Sequence, residues 1–449
     1  MTIADDPFAS FVEAACVPLD SGHATGTLER AQAILSAHPD LANHNVHAAA
    51  ILGDERTVRR FLELDPGNST AKGSPRNWDA LTHLCFSRFL RLDRTRSDGF
   101  VGAVQALLDF GASATTGFYS ADHQPQPEFE SVLYGAAGVA HHPGVTRVLL
   151  EHGADPNDDE VAYHTPETYD NEVVNLLIGT GKLTSDSLAT LLLRKNDWHD
   201  REGVRLLLEH GADPNRLTRW GNAALHHALR RDNDLQIIEL LLDHGADPNL
   251  SSHGGSAAAM AAREGRGDVL ESFARRGLPV VLEGLDRLLA ACARNDADQV
   301  RVVVANETGL VEQLRQHAGK LLGEFAGVGN TEGVRHLLDL GADVAAVDEE
   351  GDGYWGIAKK STALHVAAWR ARHDTVKLLL ARGAPVDAQD SRGRTPLMLA
   401  VRACVDSFWS GRRSPESVAA LLAAGASVKG VTYPSGYAEV DALLREHAG

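Results

Sequence analysis

The sequence predicts an all-α protein built as a helical repeat solenoid. The first observation is a ten-residue segment that recurs along the chain: it reads LLLEHGADPN at Leu206–Asn215, VLLEHGADPN at Val148–Asn157 and LLLDHGADPN at Leu240–Asn249. The second is the spacing of its glycine, because Gly211 and Gly245 lie 34 residues apart (245 − 211). Recurrence at such a period is the sequence signature of repeat proteins, in which each unit contacts only its neighbours.

The recurring segment predicts the end of a short helix. Val204, Leu207 and Leu208 have the i, i+3, i+4 spacing of an apolar stripe on an amphipathic helix. Gly211 is then placed to take the left-handed conformation that ends a helix, and the following Asp-Pro-Asn is typical of a turn. A helix of this length is not stable alone, so the units are expected to stack on one another.

The other half of the unit is clearest at Ser361–Asp387, which reads STALHVAAWRARHDTVKLLLARGAPVD. In the next unit, Thr395 is placed to cap a helix, and Pro396 occupies the first turn, where its missing N–H costs nothing. These segments resemble an ankyrin repeat, which has a hairpin finger, two antiparallel helices and a loop. The resemblance covers most of the chain as eleven to thirteen units, several of them degenerate. It implies ankyrin-like helix-turn-helix units with β-hairpin fingers.

The repeats predict one solenoid over residues 1–449 instead of several globular domains. Its expected parts are an N-terminal cap (1–43), early repeats with long inserts (44–158), degenerate repeats (159–215), regular repeats (216–428) and a C-terminal cap (429–449). Longer loops interrupt the pattern at Asn196–Asp200, at the finger Val344–Lys360 and at Val405–Ser414. Loops on a rigid scaffold commonly contain binding residues. The alternative interpretation of each insert is neutral drift, because long loops cost little entropy.

Composition limits the class of partner. The formal net charge is −18, which argues against nucleic acid or an anionic membrane, since both need clustered Lys and Arg. The four cysteines form no CxxC pair, as expected for free thiols in a reducing cytosol. The first residues carry acids where a signal peptide needs bases, and no run approaches the ~18 apolar residues of a membrane span. We therefore expect a cytoplasmic protein.

The resemblance also places polar and aromatic side chains on the concave face and the fingers. Aromatic side chains and arginine are the usual anchors of interfaces, so these residues are predicted to bind another protein or a peptide. They are His83, Trp198, His227, Arg230, Arg263, Tyr354, Trp355, Trp369, Arg370 and Arg402. By contrast, His47, His226 and His365 match the histidine that ankyrin repeats use to hold the finger, and we expect structural roles for them.

The degenerate repeats predict that the deepest concave pocket of the protein lies in the middle of the groove. Pro166 interrupts a helix there, and Gly135 and Gly138 are expected to leave a dent in the preceding layer. The expected lining is His164, His199 and His227, with Asp200 orienting one imidazole.

Histidine paired with a carboxylate suits general acid–base chemistry, but no HExxH, GxSxG, Walker or GxGxxG motif supports a reaction. Three interpretations stay open: a groove that binds protein, a pocket that binds or transforms a small molecule, and no central site. We expect the first. An enzyme is the less favoured alternative, with the four residues of this pocket as its candidates, and no metal or cofactor is expected.

Overall fold

The computed structural model describes residues 6–19, 22–120, 126–407 and 409–447. The outermost residues of both predicted caps and Phe408 of the predicted insert lie outside the described residues. Contacts between Cα atoms divide the chain into two compact units, Met1–His227 and Ala228–Gly449. Both units are mainly helical, which confirms the predicted all-α class. The division of residues 1–449 into five parts of one solenoid stays a prediction.

Short helices dominate the first unit. Their bounds are α1 Pro7–Ala15, α2 Glu29–Ala37, α3 Val46–Ile51, α4 Glu55–Leu64, α5 Ala80–Cys85, α6 Arg88–Leu92, α7 Ser97–Asp109, α8 Val132–Tyr134, α9 Pro143–Glu151, α10 Asp159–His164, α11 Glu172–Gly179, α12 Ser185–Asp197 and α13 Arg201–Glu209. A π-helical turn, Gly135–Val139, follows α8 directly. The next helix, α14, spans Ala224–Arg230 and contains the residue at which the two units divide.

The second unit repeats the same elements. Its helices are α15 Leu235–Asp243, α16 Ala257–Arg263, α17 Gly267–Arg275, α18 Gly284–Ala293, α19 Ala297–Asn306, α20 Leu310–Gln316, α21 Ala318–Val328, α22 Thr331–Asp339, α23 Ala363–Trp369, α24 His373–Ala381, α25 Pro396–Val405, α26 Glu416–Ala423 and α27 Ala438–Glu446. Helix α23 packs on α24 within its repeat and on α21 and α25 of the neighbouring repeats. The core is therefore a continuous row between stacked layers, as expected for repeats.

Two-stranded antiparallel hairpins form three of the fingers. They are β1 Gly117–Ser120 with β2 Glu128–Ser131, β3 Ser251–Ser252 with β4 Gly255–Ser256, and β5 Val347–Asp348 with β6 Ser361–Thr362. The last hairpin leads directly into α23, where His365 closes the turn. Its Nδ1 accepts the backbone N–H of Thr362 at 3.1 Å, and its Nε2 lies 3.1 Å from the carbonyl oxygen of Arg394 in the next repeat. The structural role expected for His365 fits these bonds.

Gly211 and Gly245 end the second helices of their repeats as predicted. Gly211 and Gly245 have φ values of +87° and +88°. A Cβ on either would meet no atom within 4 Å, so the backbone conformation alone favours glycine there.

Pro166 has a smaller effect than expected. Helix α10 ends at His164, before the proline, and its six residues equal the length of α3 and of α5. The first helices of several repeats are this short, so the proline follows a normal helix end. The predicted opening of the groove by a shortened helix is therefore wrong.

Candidate binding site

The predicted histidine pocket in the first unit is a closed network of charges. Both ring nitrogens of His164 face carboxylates: Nε2 lies 3.1 Å from Glu160 and Nδ1 lies 3.1 Å from Glu167. Burial alone would lower the pKa of His164, but these two hydrogen bonds outweigh it and raise the pKa to about 9. His164 is therefore a cation at neutral pH, which makes it a poor general base.

The network continues to the end of α12. Arg194 donates to Glu167 at 2.5 Å and also pairs with Asp197. Asp197 in turn lies 2.8 Å from Nε2 of His227. A chain of alternating charges thus connects His164 to His227, although the two imidazoles do not line one cavity.

Asp200 does not orient an imidazole, contrary to the prediction. Its carboxylate caps α13 through the N–H of Gly203 at 3.0 Å and pairs with the buried ammonium of Lys195 at 2.8 Å. The orienting carboxylate is Asp197, three residues earlier. His199 lies at the turn between them, with φ +51° and an exposed side chain.

The cavity beside His164 lacks two of the predicted residues. It measures 320 Å³, and neither His199 nor His227 lines it. Of the two glycines predicted to leave a dent, Gly138 lines this cavity and Gly135 does not. Neighbours lie close to both: a Cβ on Gly135 would lie 2.9 Å from the carbonyl oxygen of Cys85, and one on Gly138 would lie 2.9 Å from Cβ of His164. These glycines allow close packing of the layers.

Two further predicted residues of the first unit lie against other rings. His83 is fully buried, its Nδ1 lies 3.0 Å from the carbonyl oxygen of Asp79, and its ring packs on His47 and Trp78. Burial lowers the pKa of His83 to about 3, so it is neutral. The prediction that His83 faces an open groove is wrong. Trp198 is half-buried against the ring of Tyr169.

A larger cavity lies in the second unit, so the prediction that the main pocket is at the degenerate repeats is wrong. Its volume is 740 Å³, against 320 Å³ for the cavity beside His164. Four of the predicted binding residues line it: Arg230, Arg263, Trp355 and Arg370. We call it the second-unit cavity.

Packing between two inserts builds one wall of this cavity. Trp355 comes from the long finger Val344–Lys360, and Trp409 comes from the insert Val405–Ser414; their ring centroids are 5.2 Å apart. Trp369 joins them: its Nε1 donates to the carbonyl oxygen of Trp355, and its own carbonyl oxygen accepts from Nε1 of Trp409, both at 2.6 Å.

Arg370 completes the wall. Its guanidinium lies 4.2 Å from the ring centroid of Trp355 and donates to Asp232 at 2.6 Å. Trp369 and Arg370 are only 6% and 4% exposed. The expectation that both lie on an exposed binding face is therefore wrong, since they support the wall. Arg402 is exposed and stacks over Trp369 at 5.0 Å.

Three other predicted residues reach solvent, two in the lining of the cavity and one on the finger beside it. Arg230 and Arg263 are exposed, and Tyr354 is 45% exposed, with the guanidinium of Arg231 3.4 Å from its ring centroid. Arg263 is paired with Asp286 at 2.6 Å. Arg230 makes no ion pair with any residue that the structure describes.

Two residues that line the second-unit cavity are not among the predicted binding residues, although their positions in the repeats place them on this face. Glu264 follows the last residue of α16, and Glu324 lies within α21. Burial raises the pKa of Glu264 to about 8, with a further rise from the charge of Glu324. Burial also raises the pKa of Glu324 to about 7. The available signal was a single acid, Glu324, in the otherwise small and apolar run LLGEFAG.

Among the described residues, no group of three or more His, Cys, Asp or Glu side chains is arranged to hold a metal ion. In the same part of the chain, no helix has the length and apolar character needed to cross a membrane.

Comparison with known families accounts for the architecture around the second-unit cavity. The family model described as ankyrin repeats (3 copies) matches residues 188–282 and 322–430. The chain is an ankyrin-repeat protein. The two matched segments contain Arg230, Glu264, Glu324 and Arg370, so both sides of the cavity are built from ankyrin repeats. Ankyrin repeats are in general modules of protein–protein interaction that use their extended concave surfaces.

Similar proteins share only parts of this ankyrin-repeat chain. A stretch of 102 residues (22% of the chain) is 38% identical to the E3 ubiquitin-protein ligase hecd-1 of Caenorhabditis elegans and covers 3% of it. A stretch of 77 residues (17% of the chain) is 39% identical to serine/threonine-protein kinase 12 of Arabidopsis thaliana and covers 15% of it. The chain thus spans a small fraction of both curated relatives.

Among solved structures, the human ASB11 ankyrin repeat domain matches 53% of this chain and 98% of its own chain. The sequence identity is 21% and the TM-score is 0.24.

Proposed function

We propose that this ankyrin-repeat protein is a non-catalytic binding module that contacts a protein partner inside the cell through its second unit. The observation that carries the proposal is the second-unit cavity, which opens between ankyrin repeats beside an inserted finger. Exposed Arg230 in its lining and exposed Tyr354 on the finger are of the types that anchor interfaces. The four cysteines are all buried free thiols, which suits a reducing compartment.

The alternative function, a small-molecule or catalytic pocket at the degenerate repeats, has weaker support. Its central imidazole would have to exchange protons, but His164 is held as a cation between two carboxylates. Its other candidate residues, His199, Asp200 and His227, do not line the same cavity. A charge network with its partners in place is a structural feature.

The proposal is tested by quantitative affinity purification from cells with the full chain as bait. Arg230→Ala and Tyr354→Ala should each fold normally, because both side chains are exposed, and should reduce recovery of the same partner at least threefold. Arg301→Ala is the matched control, since that side chain is 77% exposed on α19 and does not line the cavity. Equal recovery by all three variants would place the interface elsewhere.

A further inference from the structure

This inference rests on the proposed function and concerns the chemistry that the second-unit cavity selects. Much of the charge in its lining is already neutralised internally. Arg263 pairs with Asp286 at 2.6 Å, and Asp232 accepts from Arg370 at 2.6 Å. Lys320 reaches outward to Glu350 on the finger at 2.6 Å.

Two carboxylates of the lining are not paired in this way. Neither Glu264 nor Glu324 has a hydrogen-bond or ion-pair partner among the residues that the structure describes, and Oε2 of Glu264 is buried. Buried polar atoms in native proteins are nearly always satisfied, and leaving one unsatisfied costs about 1–3 kcal/mol, more when it is charged. Burial is the main cause of the raised pKa of both carboxylates. The charges of Arg266 and Arg230 lower the pKa of Glu264, and those of Arg370 and Lys320 lower the pKa of Glu324, but none of them outweighs burial. A group that donates hydrogen bonds to these two carboxylates is therefore missing among the described residues.

The remaining lining fits a long side chain that carries such a group. Met260, Leu289 and Leu321 provide apolar surface in the same cavity. Lysine and arginine bury their methylene stems on apolar surface while the charged end makes polar contacts. The volume of 740 Å³ falls within the roughly 300–1,000 Å³ typical of ligand pockets.

We propose that the second-unit cavity receives one basic side chain, arginine or lysine, from a partner protein, with its cation between Glu264 and Glu324. The N–H groups of the cation would satisfy both carboxylates, and arginine, with five donors in a planar fork, would do so best. The partner segment is thus basic at the inserted position, which agrees with the acidic net charge of the chain.

The test is selection of peptides from a random phage-displayed library on the full-length protein, followed by binding measurements on the enriched peptides. We expect one invariant Arg or Lys. Replacement of an invariant Arg by citrulline, which keeps the shape but removes the charge, should weaken binding at least tenfold, and so should replacement of an invariant Lys by the neutral Nε-acetyllysine. The double variant Glu264→Gln/Glu324→Gln should weaken it by a similar factor. The control Glu271→Gln/Glu312→Gln removes the same charge from exposed positions on α17 and α20 and should leave affinity unchanged.

The outcomes separate the inference from the proposed function. Enriched peptides without a basic residue, or affinity that survives the double variant, would overturn the inference and leave a protein-binding module. Absence of any enriched peptide would count against the proposed function itself. In that case, titration with N-acetyl-L-arginine amide, followed by the NMR signal of the Met260 methyl group, decides the inference alone: saturable shifts abolished by the double variant support it, and no shift overturns it.

Discussion

The His164 network of the first unit and the second-unit cavity contain similar groups in opposite states of pairing. In the network, each ring nitrogen of His164 has a carboxylate at 3.1 Å, and Arg194 joins one of these, Glu167, to Asp197. In the cavity, Glu264 and Glu324 lack such partners among the described residues. The pKa values move accordingly: the pKa of Glu167 is lowered, because His164 and Arg194 outweigh burial, whereas those of the cavity acids are raised by burial.

The difference shows that a cluster of titratable residues does not by itself mark a functional site. Histidine and acids at the degenerate repeats look catalytic in the sequence, yet their partners are all supplied by the chain. The acids of the second unit draw less notice in the sequence, yet no described residue donates a hydrogen bond to them. Whether a buried charge is satisfied internally is thus a better guide to function than its residue type.

The largest loss of stability should follow from removing the arginine of the His164 network. Arg194→Met removes the cation between Glu167 and Asp197 and leaves two carboxylates without it. Breaking a buried ion pair in this way costs about 3–5 kcal/mol of unfolding free energy. Chemical denaturation measures this loss. Arg205→Met is the control, because its pair with Glu202 is exposed on both sides and should change stability by less than about 1 kcal/mol. Similar losses for both variants would mean that the network is not a special structural element.

Substitution of the glycines that end helices in both units should have an intermediate effect on stability, of equal size in the two units. Gly211→Val in the first unit and Gly245→Val in the second should each cost about 1–2 kcal/mol, the cost of a left-handed residue with a Cβ. Gly179→Ala is the control, since that glycine ends α11 without a positive φ and has open space around it. A midpoint unchanged by either valine would refute the account of the helix ends.

The helix boundaries of the repeats could be predicted because they depend on local sequence patterns that recur many times. A glycine after an apolar helix and a Thr that caps the next helix recur, so each copy supports the others. The role of Asp200 also follows a local pattern: Asp200 caps α13 by accepting the N–H of Gly203, just as Asn330 caps α22 by accepting the N–H of Gly333. A cap was the simpler interpretation of Asp200 than an orienting carboxylate.

The sites could not be predicted because their contacts join residues far apart in sequence. His227 meets Asp197 across 30 positions, and Arg370 meets Asp232 across 138. Nothing in the sequence of either insert shows that Trp355 packs on Trp409. Repeat register indicates which face a residue occupies, but side-chain pairing across layers depends on geometry that the sequence pattern does not contain.

The most direct test of the contrast is thermal unfolding of two charge-removing variants at pH 8. Above the normal pKa of Glu, the paired Glu167 stabilises the fold, so Glu167→Gln should lower the midpoint by several degrees, or about 1–2 kcal/mol.

Glu264 and Glu324, whose pKa values are raised, bind more protons in the folded state than in the unfolded state. Their contribution to stability therefore falls as pH rises from about 4.5 to about 8. Glu264→Gln/Glu324→Gln should therefore raise the midpoint at pH 8 and change it little at pH 5, with Glu271→Gln/Glu312→Gln as the control. Midpoint shifts of opposite sign at pH 8 are the predicted result, and a lowered midpoint for both variants would contradict the account.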